Sequence, residues 1–358
     1  MPFCCNKVPP MSTVDVVVPC HNYAKYLPAC VQSLVSQAGV KVRVLIIDDA
    51  SSDDTAQVGE RLATSHRGVE FRRHEVNKGN IATYNEGLLG WSTSEYVVLL
   101  SADDMLAPGS LSRAVGIMDA DPSIGMVYGR AIHFEEESAL PKVSMTEFAF
   151  TRFTGARWLE VRCRAGYNVI ASPEVVVRGR IQRSVGGYRP ELPHAGDLEM
   201  WLRIAAVSNI AYVRRVPQAF YRVHSDSMLR TTTARDKFLD LYERKKVFDA
   251  FFQHHEHTVA NAACLHDLAS RALAREALWR ACRAYDRDKV EEDRASELEE
   301  FAIAVCPVAR SLPEYRALGR RRRLGPVICN RTQLFAPTAV VRRIQRWALQ
   351  KRWQRWGM

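Results

Sequence analysis

Residues 14–18 read Val-Asp-Val-Val-Val and stop at Pro19. Residues 44–47 read Val-Leu-Ile-Ile and stop at Asp48, and residues 96–100 read Tyr-Val-Val-Leu-Leu and stop at Ser101. A weaker run covers Val69–Arg72. Nearly unbroken β-branched and aliphatic runs of this length are strands buried on both faces, the pattern of a parallel sheet. Helical spacing fills the gaps. In Tyr26–Gln37, Leu27, Val31, Leu34 and Val35 form one apolar stripe. A second helix begins near Ser52 and runs through Val58 and Leu62, and a third covers Ile81–Leu89. Strand–helix alternation predicts right-handed βαβ units, hence an α/β, Rossmann-like, mostly parallel sheet flanked by helices.

Beyond residue 130 the pattern loosens. Met126–Tyr128 and Val175–Val177 read as strands, and Asp197–Val207 as a helix with Leu198, Trp201, Leu202 and Ala205 on one side. After residue 232 Gly and Pro become rare and the composition turns helical. The expected organisation is an N-terminal extension over 1–12, an α/β domain over 13–230, a helical segment over 231–308 and a basic, Trp-containing tail over 309–358. The 358 residues, 47% hydrophobic and 25% charged, exclude a disordered or collagen-like chain. No apolar run approaches the 18 residues of a spanning helix, and the opening MPFCCNKVPP lacks the apolar core of a secretory signal. Nine scattered cysteines without a CxxC pair disfavour a disulfide scaffold and fit a reducing, cytoplasmic setting.

Polar side chains cluster immediately after each strong strand. The first run is followed by Pro19-Cys20-His21-Asn22-Tyr23, the second by Asp48-Asp49-Ala50-Ser51-Ser52-Asp53-Asp54, and the last by Ser101-Ala102-Asp103-Asp104. Each alone is explained by a turn or a helix cap. Three at neighbouring carboxyl ends converge where open α/β sheets bind ligands. Carboxylates repel a bare phosphate, but a divalent cation held by one or two of them bridges to phosphate oxygens. These residues therefore point to a metal–nucleotide site. Neither GxGxxG nor GxxxxGK[ST] occurs after the first strand, which removes the main support for dinucleotide and P-loop readings.

The segments VDVVVPCHNYAKYLPACVQSL, VRVLIIDDASSDDT, NKGNIATYNEGL, YVVLLSADDMLAPGSL and GGYRPELPHAGDLEMWLRIA, in this order across roughly residues 13–226, resemble family 2 of the inverting glycosyltransferases, which have the GT-A fold. The resemblance implies a nucleotide-diphospho-sugar donor, a Mg2+ or Mn2+ ion, and a saccharide or lipid-linked acceptor, in the synthesis of cell-surface polysaccharide or glycolipid. Pro19, Asn22 and Asp49 would line the nucleoside pocket. Asp103 and Asp104 occupy the DxD position as Ala-Asp-Asp, Asp103 towards ribose or sugar and Asp104 on the metal. Asn77, in the Asn77-Lys78-Gly79 turn, and Asn85 would border the donor. Asp197 matches the catalytic base, although Gly196 stands where the family usually has Glu. His224, in Tyr221-Arg222-Val223-His224, matches a histidine that completes metal or diphosphate contacts.

Two other readings differ in class: a non-catalytic nucleotide- or nucleic-acid-binding protein with a basic tail, and a sugar nucleotidyltransferase. The missing Gly-rich phosphate loop counts against the second. His254, His255 and His257 do not share a helical face and read as solvated, as does Glu135-Glu136-Glu137. Charge is lopsided. Thirteen Arg and Lys against the single Glu314 give residues 309–358 a charge of +12, so residues 1–308 carry −2 of the total +10. Arg and Lys interleaved with Trp347, Trp353 and Trp356 have the composition of a helix on an anionic membrane surface. Two apolar rows on opposite sides of that helix leave its seat undecided, and a disordered tail is the other reading. Nucleic acid is disfavoured as a partner.

Overall fold

A computed structural model describes residues 11–144, 147–224 and 237–358. Most of the expected 1–12 extension, and the expected boundary at 230, lie outside them. The elements in chain order are β1 (Thr13–Cys20), α1 (Leu27–Val35), β2 (Lys41–Asp48), α2 (Thr55–Ser65), β3 (Val69–Arg73), α3 (Asn80–Asn85), β4 (Tyr96–Leu99), β5 (Met105–Leu106), α4 (Ser110–Ala120) and β6 (Ile124–Phe134). They continue with β7 (Ala149–Phe153), α5 (Gly155–Ala165), β8 (Val176–Arg178), α6 (Gly179–Val185), α7 (Gly196–Val207) and β9 (Asn209–Arg222). Among the described residues there follow α8 (Lys237–His255), α9 (Ala262–Asp286), α10 (Ala295–Val305), α11 (Pro313–Leu324), α12 (Pro326–Thr332) and α13 (Ala336–Trp356). Two compact units divide the chain. The first takes residues up to Arg152, Ile170–Pro190 and Val207–His224, and the second takes Phe153–Val169, Glu191–Ala206 and the residues from Ser225 onward.

The first unit is built on a sheet of order β3-β2-β1-β4-β8-β6-β9-β5, with β7 also against β9. β1, β2, β3 and β4 are mutually parallel, and Val16 faces Val44 and Val98 across the ladder. Alternate β1 side chains are buried on both faces, which is why the run is continuous. Val14, Val16 and Val18 join a core with Leu27, Cys30, Val31 and Leu34 of α1, while Val17 lies against Gly87 on the other side. The interrupting Asp15 is fully buried. Its carboxylate accepts the N–H of Thr93 and Ser94 and the Ser94 hydroxyl, and pairs with Arg43 at 3.1 Å, fixing the turn into β4. β8 runs antiparallel to β4 and β6, and β5 antiparallel to β9, so the far half of the sheet is mixed. The third helix stops at Asn85 and continues as a π-turn over Glu86–Trp91, a feature that apolar spacing does not reveal.

The chain winds β1→β2→β3 in one direction and then places β4 on the opposite flank of β1. The reversal opens a crevice between the carboxyl ends of β1 and β4, where α/β sheets bind ligands.

In the second unit α9 packs against α5, α8, α10, α11 and α12. Its buried Ala269, Ala274, Ala277 and Ala281 let these helices approach closely. Buried cations are paired. Arg244 donates to the Gly166 carbonyl, Asp240 and Glu276, and Arg203 pairs with Glu199 at 2.7 Å inside α7. Among the described residues no helix is long and apolar enough to cross a membrane.

Candidate active site

The loops after β1 and β2 are laced together. Asn22 holds a left-handed backbone, φ 57°, and its Oδ1 accepts the N–H of Ser52 at 2.8 Å. Its own N–H donates to Ser51 Oγ, that of Tyr23 to Thr55 Oγ1 and that of Ala24 to Asp53. Pro19 is the penultimate β1 residue, half-buried opposite Ile47. Asp49 extends the lacing to a third loop. Its Oδ1 accepts the Lys78 N–H at 2.8 Å and its Oδ2 the Gly79 N–H at 2.9 Å. Asn77 Nδ2 donates to the Asp49 carbonyl, and His21 Nδ1 reaches that carbonyl at 2.9 Å. Asn22, Asp49 and Asn77 therefore share one rim.

His74 stands behind this rim, with Nδ1 at 2.7 Å from Asp49 and Nε2 at 2.9 Å from Glu86, which also accepts from Lys78 Nζ. Burial pushes the Asp49 carboxyl up, but the hydrogen bonds from His74 and the Lys78 and Gly79 amides outweigh it and bring it below the usual range. Glu86 follows the same balance, with His74 and Lys78 overcoming burial. The sequence reading placed His21 in the first cluster without a role and missed His74 and Glu86. His74 had a signal, since it is the first residue after β3 and obeys the strand-end rule used for the other three.

The acidic pair lies on the turn after β4, closed by Asp104 N–H donating to the Ser101 carbonyl. Both aspartates are buried. Arg222, at the end of β9, reaches across to them. Its N–H donates to Asp104 Oδ1 at 2.9 Å, its Nε to the Asp103 carbonyl, and its Nη2 to Glu137 at 2.6 Å. The guanidinium lies over the Tyr26 and Phe134 rings, 4.6 and 4.5 Å from their centroids. Glu137 is exposed, as expected, and its carboxylate still pairs with Arg222. His224 Nε2 meets Asp103 Oδ2 at 3.0 Å, and its ring packs against Tyr23 and Tyr26. Tyr23 belongs to the laced β1 loop, so both clusters stand on the same crevice edge.

Burial, and then the Asp103 charge, push the Asp104 carboxyl well above the usual range, against the pull of Arg222. Burial and the same two aspartates raise the Tyr23 hydroxyl. Two buried carboxylates plus an imidazole whose Nδ1 is buried with no partner among the described residues are a hard oxygen–nitrogen donor set. These residues fit a divalent cation. Among the described residues no three His, Cys, Asp or Glu side chains converge to enclose one. The set suits an ion that completes its shell with phosphate oxygens and water, as Mg2+ does.

Asn85 is the last residue of α3. Asn85 Oδ1 accepts the Tyr188 N–H at 2.7 Å and its Nδ2 donates to the Tyr188 carbonyl at 2.8 Å, which clamps the Gly186–Tyr188 segment. Asp197 is in the second unit, half-buried in the first turn of α7.

The sheet, reversed between β1 and β4 and carrying a buried acidic pair on the β4 turn, has the GT-A fold. The fold is that of Staphylococcus aureus TarS residues 1–349, with a TM-score of 0.60 and 16% identity over 91% of this chain and 92% of that one. It is also that of the mannosyltransferase PcManGT from Pyrobaculum calidifontis, with a TM-score of 0.53 and 18% identity over 93% of this chain and 87% of that one. Residues 15–176 match the model of Glycosyl transferase family 2. An uncharacterized protein of Mycobacterium tuberculosis (strain CDC 1551 / Oshkosh) is 24% identical over 67% of this chain and 74% of its own length. The chondroitin synthase of Escherichia coli is 23% identical over 57% of this chain, a match that spans only 28% of that synthase.

Proposed function

We propose that the protein transfers a sugar, with inversion, from a nucleotide-diphospho-sugar to a hydroxyl of a saccharide or lipid-linked acceptor in cell-surface polysaccharide or glycolipid synthesis. One observation carries the reading: the buried Asp103–Asp104 pair, fastened by Arg222 and facing His224 at the β1–β4 crevice. Relatives support it. Chondroitin and hyaluronan synthases are among them, TarS was solved with UDP and with UDP-GlcNAc, and PcManGT with GDP-Man and Mn2+.

In this reading Pro19, Asn22, Asn77 and Asp103 border the nucleoside and ribose, and Asp49 fixes the Asn77–Gly79 turn against them. Asn85 holds the Tyr188 segment at the donor. Asp104 and His224 hold a Mg2+ or Mn2+ ion, which when bound neutralises charge on the leaving diphosphate. Asp197 is the base. The acceptor oxygen bonds to the anomeric carbon as the bond to the diphosphate breaks, and the acceptor proton passes to the Asp197 carboxylate. Direct displacement requires no covalent intermediate on the protein. The setting is the cytoplasm, peripheral at the inner face of the membrane.

The test is a melting screen of nucleoside diphosphates and triphosphates with and without Mn2+, followed by transfer assays with the selected base. A diphosphate saturating its site should raise Tm by about 2–4 °C or more, only with the metal. Asp197→Asn should keep that shift and lose nearly all turnover, and the product anomer should be inverted. Absence of any metal-dependent nucleotide shift defeats the reading.

A further inference from the structure

Residues 315–358 contain twelve Arg and Lys and no Asp or Glu. Part of this charge is internal to the second unit. Arg321 is 1% exposed and bonded to Asp286 at 2.7 Å, with Phe335 3.9 Å from its guanidinium. Arg322 pairs with Glu299. Arg342 lies over the Trp279 ring at 4.3 Å and pairs with Glu314.

The Arg342 contacts orient α13. Arg342 and the half-buried Trp353 are eleven residues apart, three turns along one face, and that face meets the rest of the unit. The opposite face carries Val340, Ile344 and Trp347, spaced four and three residues apart and exposed by 55%, 59% and 60%. Lys351 and Arg355 continue the same face and Arg343 flanks it, all exposed. Of the two apolar rows in the sequence, that of Leu349, Trp353 and Trp356 turns in only at Trp353, with Leu349 and Trp356 exposed by 53% and 44%, while Val340, Ile344 and Trp347 all face solvent.

We infer that this outer face of α13 seats the protein on a bilayer surface rich in anionic lipid, with Val340, Ile344 and Trp347 in the interface and Arg343, Lys351 and Arg355 at the phosphates. Three occupants compete. Nucleic acid would satisfy the cations but offers no apolar layer for a Val–Ile–Trp row. A second copy of this chain would cover the row but would bring two helices together that each carry six basic residues and no acidic one. An anionic bilayer supplies both the apolar layer and the opposite charge. A 21-residue helix of this polarity lies along such a surface and does not cross it. The inference does not depend on the transfer reading.

The test is sedimentation of the full chain with phosphatidylcholine vesicles with and without phosphatidylglycerol. The wild type should bind the anionic vesicles about tenfold or more tighter than the neutral ones, and each of Arg343→Gln and Lys351→Gln should weaken binding about fivefold. Ile344→Glu/Trp347→Glu changes only exposed side chains, so its melting should match the wild type while its vesicle binding falls by about tenfold or more. Equal binding to both vesicle types overturns the inference. So does undiminished anionic-vesicle binding by the folded double Glu variant, or a wild-type dimer that the same variant dissolves.

Discussion

Asp49 illustrates how a residue chosen for ligand chemistry can act through the backbone. Its carboxylate organises the Asn77–Gly79 turn, and His74 braces it from behind. Both Asp49 and Glu86 lie below their ordinary ranges in the folded protein. A depressed folded value contributes stability that is fully present above the unfolded value, near pH 4, and is lost as pH falls through the folded one. His74→Gln should therefore be less stable than wild type at neutral pH, with the gap closing below about pH 4 in urea unfolding across a pH series. Asp104 behaves in the opposite sense. Its buried charge is opposed by Asp103, so Asp104→Asn should melt no lower than wild type while losing the Mn2+-dependent nucleotide shift. Arg222→Met keeps the amide bond to Asp104 but loses the bonds to the Asp103 carbonyl and Glu137, and should cost about 1–3 kcal/mol in denaturant unfolding.

Among the elements, β1, β2 and β4 were legible because their runs are apolar on both faces, and the clusters after them followed from strand direction alone. The links across the sheet were not legible. Arg222 meets Asp104 across 118 positions of sequence, and no local periodicity encodes that pairing. Glu137 is exposed as its run of glutamates suggested, but its partner on β9 has no sign in the local sequence. The π-turn at Glu86–Trp91 was hidden for another reason: its apolar spacing is close to that of a helix, and the extra residue per turn appears only in the hydrogen bonds. That turn lays Gly87 against Val17, where any Cβ would collide. Gly87→Ala should destabilise by about 1–3 kcal/mol in thermal unfolding. Asn85→Ala removes both hydrogen bonds to Tyr188 and should cost about 1–3 kcal/mol. If that segment meets the donor, KM for the nucleotide-sugar should rise more than kcat falls.

For the whole molecule, charge divides into an internal and an external set that composition cannot separate. The Arg320–Arg323 block looked uniformly basic, yet Arg321 is buried against Asp286. Arg321→Met leaves Asp286 only its longer pair with Arg283 and should cost about 3 kcal/mol, whereas Arg320→Met should change Tm little. The two units also share the chain in alternation, since segments 153–169 and 191–206 belong with the helices that follow residue 225. Trp158 of α5 is fully buried, and α5 packs on α9, which lies about a hundred residues later. Recombination between relatives at one crossover point would therefore split at least one unit: the first near residue 150, the second near 230, and both between 170 and 206. Such lineages should exchange this architecture whole or diversify by point mutation, and chimeras joined near residue 150 or 230 should precipitate when expressed.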